Sequence, residues 1–244
     1  MPAVNRPRRR GVLMGAVAWG GAAAFAASLG FAAWSFLVRF GRTADGPAVR
    51  PALTDLLLFS LFAFHHSLFA RTPIKRGVER VVPAALERSV YTWVASVLFF
   101  AVCWFWQPVP GTLYRLDGMG RFAAYGVQAA GLILTMLGAR PLDVLDLAGV
   151  RPVLRARGGG RPVHVPLVTT GAFAIVRHPL YFGWALLVCG APDMTATRAV
   201  FAAVSTAYVA VAIPWEERGL AEAFGDAYAR YRRRVRWRML PFVY

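Results

Sequence analysis

Three short clusters of polar side chains interrupt a largely apolar sequence, and they carry the residue types that can do chemistry. Arginine, histidine and glutamate side chains donate or accept protons and hold charged ligands. Ionisable groups beside hydrocarbon are costly and usually face a protein interior or a cavity. A shared site is therefore one interpretation of these clusters. They are Arg177-His178, Glu216-Glu217 and His65-His66.

A purely structural interpretation competes for each cluster. Arg177 and His178 can lie at the membrane interface, where long basic side chains reach lipid phosphates. Glu216 and Glu217 can pair with a nearby arginine such as Arg218. The two histidines can be buried and hydrogen-bonded to a neighbouring span. Because adjacent helical residues point about 100° apart, only one histidine is expected to face the centre of a bundle, and nothing in the sequence says which.

The elements that must position these residues are membrane helices. The chain has 244 residues, of which 57% are hydrophobic and 16% charged, and its mean hydropathy is +0.47. This composition is far more apolar than that of a soluble domain. A helix needs about 20 apolar residues to cross the hydrocarbon of a bilayer. Four segments are predicted to cross it or nearly so: Leu13–Val38, Ala52–Ala70, Val90–Trp106 and Phe122–Ala139.

The last apolar region, Leu180–Trp215, is too long for one span. The stretch Gly190–Thr197 interrupts it with residues typical of turns. We therefore predict a helical hairpin, and an all-α integral membrane protein with five to six transmembrane helices. A single domain is expected over residues 1–244, with the first span in 1–50, substrate-side spans in 51–139 and a cofactor-binding part in 140–244.

Basic residues are distributed unevenly among the connections, and this predicts the topology. The N-terminus and the segments 71–89, 140–179 and 216–244 hold 22 of the 28 Lys and Arg residues. Cytoplasmic loops of membrane proteins carry such an excess. We expect a multi-pass protein of a bacterial inner membrane with both termini in the cytoplasm. All three polar clusters then lie at the cytoplasmic face.

The formal net charge of +16 follows from this topology, so no nucleic-acid partner is expected. The basic juxtamembrane segments favour anionic membrane lipid instead. The basic, alanine-rich N-terminus also resembles a secretory signal, but its apolar run continues to Val38, well beyond a signal core. A retained span is the favoured interpretation.

Neither a disulfide framework nor a metal site is predicted. Cys103 and Cys189 both fall in apolar spans, where a thiol usually behaves as a small hydrophobe. The four histidines, at positions 65, 66, 164 and 178, lack the spacing of a helical zinc pair.

Two cytoplasmic segments are expected outside the spans. The connection 140–179 contains the Gly-, Pro- and Arg-rich stretch 155–166, which is typical of a flexible loop. In the tail after Trp215, aromatic and apolar residues recur at helical spacing with charges between them. This pattern predicts an amphipathic helix on the membrane surface.

Two longer motifs identify a family. The stretches "LVTTGAFAIVRHPLYFGW" (167–184) and "EERGLAEAFGDAYARYRRRV" (216–235) together strongly resemble the isoprenylcysteine carboxyl methyltransferase and phospholipid methyltransferase superfamily. Further stretches such as "FAFHHSLFARTPIKR" (62–76) and "VPAALERSVYTW" (82–93) look like the bacterial methanethiol S-methyltransferase branch. That branch is also similar to membrane proteins associated with nitrite and nitric oxide reduction.

The resemblance implies that S-adenosylmethionine is the cofactor. Its carboxylate can pair with Arg177 or His178, a glutamate can accept from its ammonium or ribose, and Tyr181 can contact its sulfonium by a cation–π interaction. Gly183 is expected to leave room for close approach. The implied cofactor-binding residues are Gly171, Arg177, His178, Pro179, Tyr181, Gly183, Glu216 and Glu217.

The expected activity is methyl transfer to a small thiol, with methanethiol and dimethyl sulfide as substrate and product. Because a free thiol is mostly protonated at neutral pH, we hypothesise that His65 or His66 accepts its proton, with Arg71 or Arg88 as electrostatic helpers. One alternative is a lipid, prenylated thiol or carboxylate acceptor. Others are an accessory protein of nitrogen-oxide metabolism and an NADPH-dependent sterol-type reductase.

Overall fold

The computed structural model describes residues 6–69, 72–158 and 166–244. Arg71 and residues 159–165 of the predicted loop lie outside the described residues. In chain order the helices are α1 (Arg6–Trp34, continued by a π-helical turn Ser35–Arg39), α2 (Val49–Phe69), α3 (Thr72–Glu79), α4 (Ala84–Phe105), α5 (Gly118–Ala139), α6 (Val144–Leu147), α7 (Val150–Gly158), α8 (Pro179–Cys189) and α9 (Ala196–Arg234), with a 3-10 turn at Gly171–Ala174.

Among the described residues, five helices are long and apolar enough to cross a membrane: α1, α2, α4, α5 and α9. The prediction of an all-α, multi-pass membrane protein is confirmed. The sixth predicted crossing, α8, has only 11 residues. Two short strands that the sequence did not predict, β1 (Thr112–Arg115) and β2 (Asp193–Thr195), pair antiparallel, with Thr112 opposite Thr195 and Arg115 opposite Asp193.

The chain divides into two compact units that interleave in sequence. Unit 1 comprises Met1–Ser35, Ser60–Trp106 and Leu142–His164. Unit 2 comprises Phe36–Phe59, Gln107–Pro141 and Val165–Tyr244. Each unit is described by the contacts within it.

In unit 1, α1 packs along α4, and the indole Nε1 of Trp93 donates to the carbonyl of Val17 at 2.9 Å. The first part of the connection 140–179 forms α6 and α7, so residues 155–158 of the predicted flexible loop are helical. Asp143 caps α6 by accepting from the backbone N–H groups of Leu145 and Asp146. The next helix, α7, then buries Val150 and Val153 against α1. Burial of these valines and the Asp143 cap explain the helical structure.

In unit 2, α5 and α8 pack through small residues. A Cβ added to Gly183 would lie 2.5 Å from the backbone N of Thr135, and one added to Gly131 would lie 2.6 Å from the N of Leu187. Similarly, a Cβ on Gly138 would lie 2.5 Å from the N of Leu180. Close approach of backbones through small residues is a usual way for membrane helices to associate.

A buried arginine stabilises the π-helical turn at Ser35–Arg39. The guanidinium of Arg198 donates to the carbonyls of Phe36 (3.0 Å) and Leu37 (2.6 Å). A π-helical turn disrupts the regular helical hydrogen bonds, and Arg198 provides donors for two of its carbonyls. Arg198 is itself buried and sits in the first turn of α9.

The predicted tail helix is the continuation of α9. This helix runs past Trp215 without a break, and its irregular point is Gly225, whose φ is 50° and ψ is −126°. Glycine tolerates this conformation because it has no Cβ. After Gly225, part of the apolar side of the helix packs within unit 2. Tyr228, Tyr231 and Val235 are buried, and Leu167 and Phe173 pack against them.

Candidate functional site

The first polar cluster is held at the start of α8 by backbone pairing. Arg177 N donates to the carbonyl of Trp237 at 2.9 Å, and His178 N donates to that of Arg238 at 2.8 Å. Pro179 is the first residue of α8, as predicted, where its missing N–H leaves no helical bond unmade. The segment after α9 is thereby fixed beside the mouth of α8.

The guanidinium of Arg177 links two parts of unit 2. Its Nε donates to the carboxylate of Glu217 at 2.5 Å. Its NH1 donates to the carbonyls of Val235 (2.7 Å) and Arg236 (2.8 Å). Carbonyls at the end of a helix lack intrahelical donors. Arg177 therefore donates to carbonyls at the C-terminal end of α9 and also pairs with Glu217, near the middle of this helix.

Glu217 lies in a buried, positively charged setting. It is 4% exposed, and Arg177 and His178 are 8% and 6% exposed, so the three groups are almost fully removed from solvent. A second arginine, Arg238, places its Nε 3.4 Å from the other carboxylate oxygen. Removing one partner from such a buried pair leaves an uncompensated charge. Glu217, Arg177 and Arg238 therefore stabilise one another.

Glu216, the neighbouring residue, faces solvent and has different partners. The hydroxyl of Tyr181 donates to its carboxylate at 2.9 Å. The ring of Tyr181 stacks on that of His178, with centroids 5.5 Å apart and an interplanar angle of 6°. The buried Nε2 atom of His178 makes no hydrogen bond of normal length among the described residues, but it lies 3.6 Å from Oε1 of Glu217, and Nδ1 lies 3.6 Å from Oε2 of Glu216. Glu216 and His178 thus retain hydrogen-bonding capacity.

An open cavity of about 540 Å³ lies beside this cluster and is strongly basic. Glu217 lines a second groove, of about 240 Å³, that shares Arg232 and Arg238 with the first. Guanidinium groups bind carboxylates and phosphates well, so the cavity suits an anionic group. The residues that line the larger cavity are Arg177, Ala229, Arg232, Arg233, Arg236, Trp237, Arg238 and Tyr244.

The two predicted glycines have clear backbone or packing roles. Gly171 has a φ of 61°, which a residue with a Cβ rarely adopts, and it begins the 3-10 turn before the cluster. Gly183 lies in the contact between α8 and α5. The close approach expected at Gly183 is therefore made by a neighbouring helix, and its contact with a cofactor stays a prediction.

The histidine pair lies in unit 1, and the structure distinguishes its members. His66 places Nδ1 2.9 Å from the hydroxyl of Tyr91 on α4. Both residues line a cavity of about 310 Å³ together with Arg88. His65 instead stacks on Phe69, with ring centroids 4.5 Å apart. His66 is thus the histidine that is in position to exchange a proton with a molecule in this cavity.

Of the two predicted helper arginines, the structure places Arg88 at this cavity, whereas Arg71 lies outside the described residues. Arg88 Nε donates to the carbonyl of Leu147 at 3.3 Å, and its guanidinium carbon is 6.0 Å from the ring centroid of Tyr91. A positive charge beside the cavity favours an anion within it. No group of three metal-binding side chains occurs in the described ranges.

Two residues of these sites were missed in the sequence. Tyr91 follows Arg88 by three positions and lies on the same helical face, a signal that was available. In the sequence, Arg238 is only one of several basic residues in the tail after Trp215. Nothing in the sequence pairs it with Glu217, because the contact depends on how the chain turns back after α9.

Comparisons with known proteins identify relatives across most of the chain. A protein named methanethiol S-methyltransferase 2 from Bradyrhizobium diazoefficiens is 37% identical over 187 residues, which cover 75% of this chain and 71% of the relative. Methanethiol S-methyltransferase from Crocosphaera subtropica is 34% identical over 80% of this chain and 76% of its own length.

A plant protein is also similar. Protein-S-isoprenylcysteine O-methyltransferase B from Arabidopsis thaliana is 37% identical over 196 residues, covering 75% of this chain and 90% of the plant protein. No family model and no solved structure matches the chain. The chain belongs to the methanethiol S-methyltransferase family of integral membrane methyltransferases.

Proposed function

We propose that this protein transfers a methyl group from S-adenosylmethionine to methanethiol and produces dimethyl sulfide. The observation that carries the proposal is the identity of 34–37% to two proteins named for this activity, over 75–80% of the chain. These names favour methyl transfer over the accessory and reductase alternatives. The arrangement of side chains in each unit is consistent with the activity.

Unit 2 fits the methyl donor. The donor carries an ammonium, a carboxylate, ribose hydroxyls and a sulfonium, so its site needs acceptors and donors together. Glu216 offers an exposed carboxylate held by Tyr181, and the buried ring of His178 lies next to both glutamates, with Nε2 3.6 Å from Glu217. The basic cavity beside them suits the carboxylate. These groups would hold the donor.

Arg177 and Glu217 have a supporting role in this proposal. Their charges compensate one another in a buried position, with Arg238 as the second partner of the glutamate. A buried ion pair of this kind fixes the position of the chain on both sides of it, since Arg177 also binds the end of α9. The pair keeps His178 and Glu216 in place.

The cavity of unit 1 is proposed to hold the acceptor thiol. When bound, S-adenosylmethionine would supply an electrophilic methyl group with a neutral thioether as the leaving group. The thiol gives its proton to His66, and its sulfur electron pair forms the new bond to the methyl carbon. Tyr91 orients the His66 ring, and Arg88 favours the thiolate.

The cellular setting is also a proposal. The excess of Lys and Arg on alternate connections supports a bacterial inner membrane orientation with both termini in the cytoplasm. The donor would then enter from the cytoplasm, where Arg177 and Glu216 are expected to lie. Methanethiol is small and apolar enough to reach a site from the lipid phase.

A second acceptor class has a specific observation in its favour. The plant relative is named an isoprenylcysteine O-methyltransferase and is 37% identical over 75% of this chain. A carboxylate at a prenylated cysteine is therefore the alternative acceptor. The donor site in unit 2 would be the same, and the acceptor would be much larger.

The function is tested with the purified, detergent-solubilised protein and methyl-labelled S-adenosylmethionine. Methanethiol and a prenylcysteine are offered in parallel, and volatile product is trapped. Labelled dimethyl sulfide is the expected product. Label only in the prenylcysteine ester would replace the proposed acceptor, and no transfer to either compound would overturn the proposal.

The proton acceptor is tested in the same assay with His66→Gln. We expect kcat/KM at neutral pH to fall by about 100-fold to 10,000-fold, the usual contribution of a general base. The defect should shrink as the pH rises towards the pKa of the free thiol, because the solvent then supplies the thiolate without a base. His65→Gln is the matched variant, and a larger loss there than in His66→Gln would contradict the assignment.

A further inference from the structure

The cavity of unit 1 is larger than the proposed substrate requires. Its volume is about 310 Å³. This lies at the lower end of the range of about 300–1,000 Å³ that is typical of pockets for drug-sized ligands. A single water molecule occupies about 30 Å³ of the liquid, and methanethiol has only two heavy atoms. Most of the cavity is therefore left unfilled by methanethiol.

Most of the wall that methanethiol would not contact is apolar. Phe25, Phe69, Ala95 and Leu147 line the cavity. Removing apolar surface from water is favourable at about 25 cal/mol per Å². A thiol with a longer hydrocarbon body would gain this contact in full, whereas methanethiol gains little of it.

Apart from the carboxylate of Glu87, which also lines the cavity, the polar groups of the wall are mostly bonded to the protein itself. The hydroxyl of Thr92 donates to the carbonyls of Arg88 (2.9 Å) and Leu147 (3.1 Å). His66 and Tyr91 lie within hydrogen-bond distance of each other. A ligand that carried several polar groups would find few partners. One polar reactive end and an apolar body match the cavity best.

We propose that this cavity is a binding site for thiols larger than methanethiol, with an unbranched alkyl body of which 1-butanethiol is the representative. This inference rests on the proposed function. The sulfur lies at His66 and transfers its proton there, and the alkyl chain extends along the apolar wall. Ala95 is the residue that determines the accepted length, since it is the smallest of the apolar side chains that line the cavity.

The first experiment compares kcat/KM for methanethiol and 1-butanethiol with the purified protein. Straight-chain thiols have similar acidity, so the ratio of the two values reports the fit of the alkyl chain. One methylene in an apolar pocket changes kcat/KM by about 10-fold to 200-fold. We expect the ratio of 1-butanethiol to methanethiol to be about tenfold or more.

A variant that fills the cavity tests where the alkyl body of the thiol binds. Ala95→Leu should lower this ratio by about tenfold, because the added side chain takes the space of the alkyl body. Val97→Leu is the matched control: it lies on the same helix, is 56% exposed, and is not among the residues lining the cavity. Val97→Leu should leave the ratio unchanged. It also controls for the effect that a substitution in α4 has on folding.

Product inhibition supplies a readout that needs no variant. Butyl methyl sulfide should inhibit the wild-type protein at a concentration about tenfold lower than dimethyl sulfide, since the same alkyl contact is made by the product. Misfolding of Ala95→Leu would leave this comparison intact.

The outcomes separate the inference from the proposed function. Methylation of methanethiol with a ratio below one, and equal inhibition by the two sulfides, would overturn the inference and leave the function standing. A high ratio that Ala95→Leu and Val97→Leu change equally would also overturn it. Absence of transfer to either thiol would overturn both.

Discussion

Glu216 and Glu217 are adjacent in sequence but have different surroundings. Glu217 is buried between Arg177 and Arg238, and its charge is already compensated. Glu216 is exposed and is held by the hydroxyl of Tyr181. A substitution of Glu217 disturbs folding as well as binding, because it removes the carboxylate that pairs with Arg177 and Arg238. Glu216 is therefore the better residue with which to test donor binding.

Glu216→Gln is expected to weaken binding of S-adenosylhomocysteine, the donor's product, by about tenfold to 100-fold. The reason is loss of a charge-assisted hydrogen bond, which is worth about 1.5–3 kcal/mol. Isothermal titration on the solubilised protein measures the change. Glu222→Gln removes an exposed carboxylate from the same helix and should leave the affinity unaltered. Equal affinities of all three proteins would remove Glu216 from the proposed donor site.

At the scale of elements, apolar length and turn residues predicted the spans. α8 begins at Pro179, and the interruption after Cys189 separates it from α9, as expected. The sequence did not predict β1 and β2, because each has at most four residues and depends on its partner for hydrogen bonds. It also missed α7, whose stability comes from burying Val150 and Val153 against α1.

The candidate sites were predictable in composition but not in pairing. His65 and His66 are equivalent in a one-dimensional pattern, and the choice depends on Tyr91, which is 25 residues away on another helix. The same holds for Glu217, whose partner Arg177 is 40 residues distant. A periodic pattern reports which face of a helix is apolar, but it does not report which residue of a second helix meets it.

The contact between α5 and α8 predicts a strong effect of a small substitution. In Gly131→Ala, the new Cβ would meet backbone atoms of α8 at 2.6–2.7 Å, and backbone cannot move aside as a side chain can. Overpacking of this kind costs about 1–3 kcal/mol. We expect a lower midpoint of thermal unfolding in detergent, followed by circular dichroism.

Gly126→Ala is the control on the same helix. Its added Cβ has no neighbour within 4 Å, so the midpoint should stay constant or rise, since alanine favours helix. Equal midpoints for Gly131→Ala and Gly126→Ala would show that the two helices do not pack as closely as described.

At the scale of the whole molecule, the register of α5 against α8 within unit 2 bears on the predicted hairpin of the last apolar region. Leu180 of α8 lies against Gly138, and Gly190 lies against Val127, so the two helices are antiparallel. The backbone N–H of Leu116 then donates to the carbonyl of Pro192 at 2.9 Å, next to the pairing of β1 with β2. The connection before α5 and the connection after α8 therefore meet at one end of this helix pair. A sixth crossing would also need the segments that flank the 11-residue α8.

The arginines at that end have local partners. Arg121 lies 3.2 Å and Arg115 3.5 Å from the carboxylate of Asp193, and Arg198 donates to the backbone carbonyl of the same residue at 2.7 Å. Their charges thus serve local structure and need no cytoplasmic location. The remaining excess of basic residues on the opposite connections is the signal that predicts orientation.

A sixth crossing at α8 would place both termini on the same side of the membrane, and from the charge excess we predict that this side is the cytoplasm. Cysteine labelling in spheroplasts of a bacterial host tests the assignment, in a background with Cys103 and Cys189 replaced by alanine. An impermeant maleimide should label Ala48→Cys, in the connection between α1 and α2, and should reach Val81→Cys, between α3 and α4, only after lysis, since both positions are exposed. The opposite labelling pattern would show that the protein has the inverted orientation. The proposed donor site would then lie away from the cytoplasmic supply of S-adenosylmethionine, and the proposed direction of donor entry would be wrong.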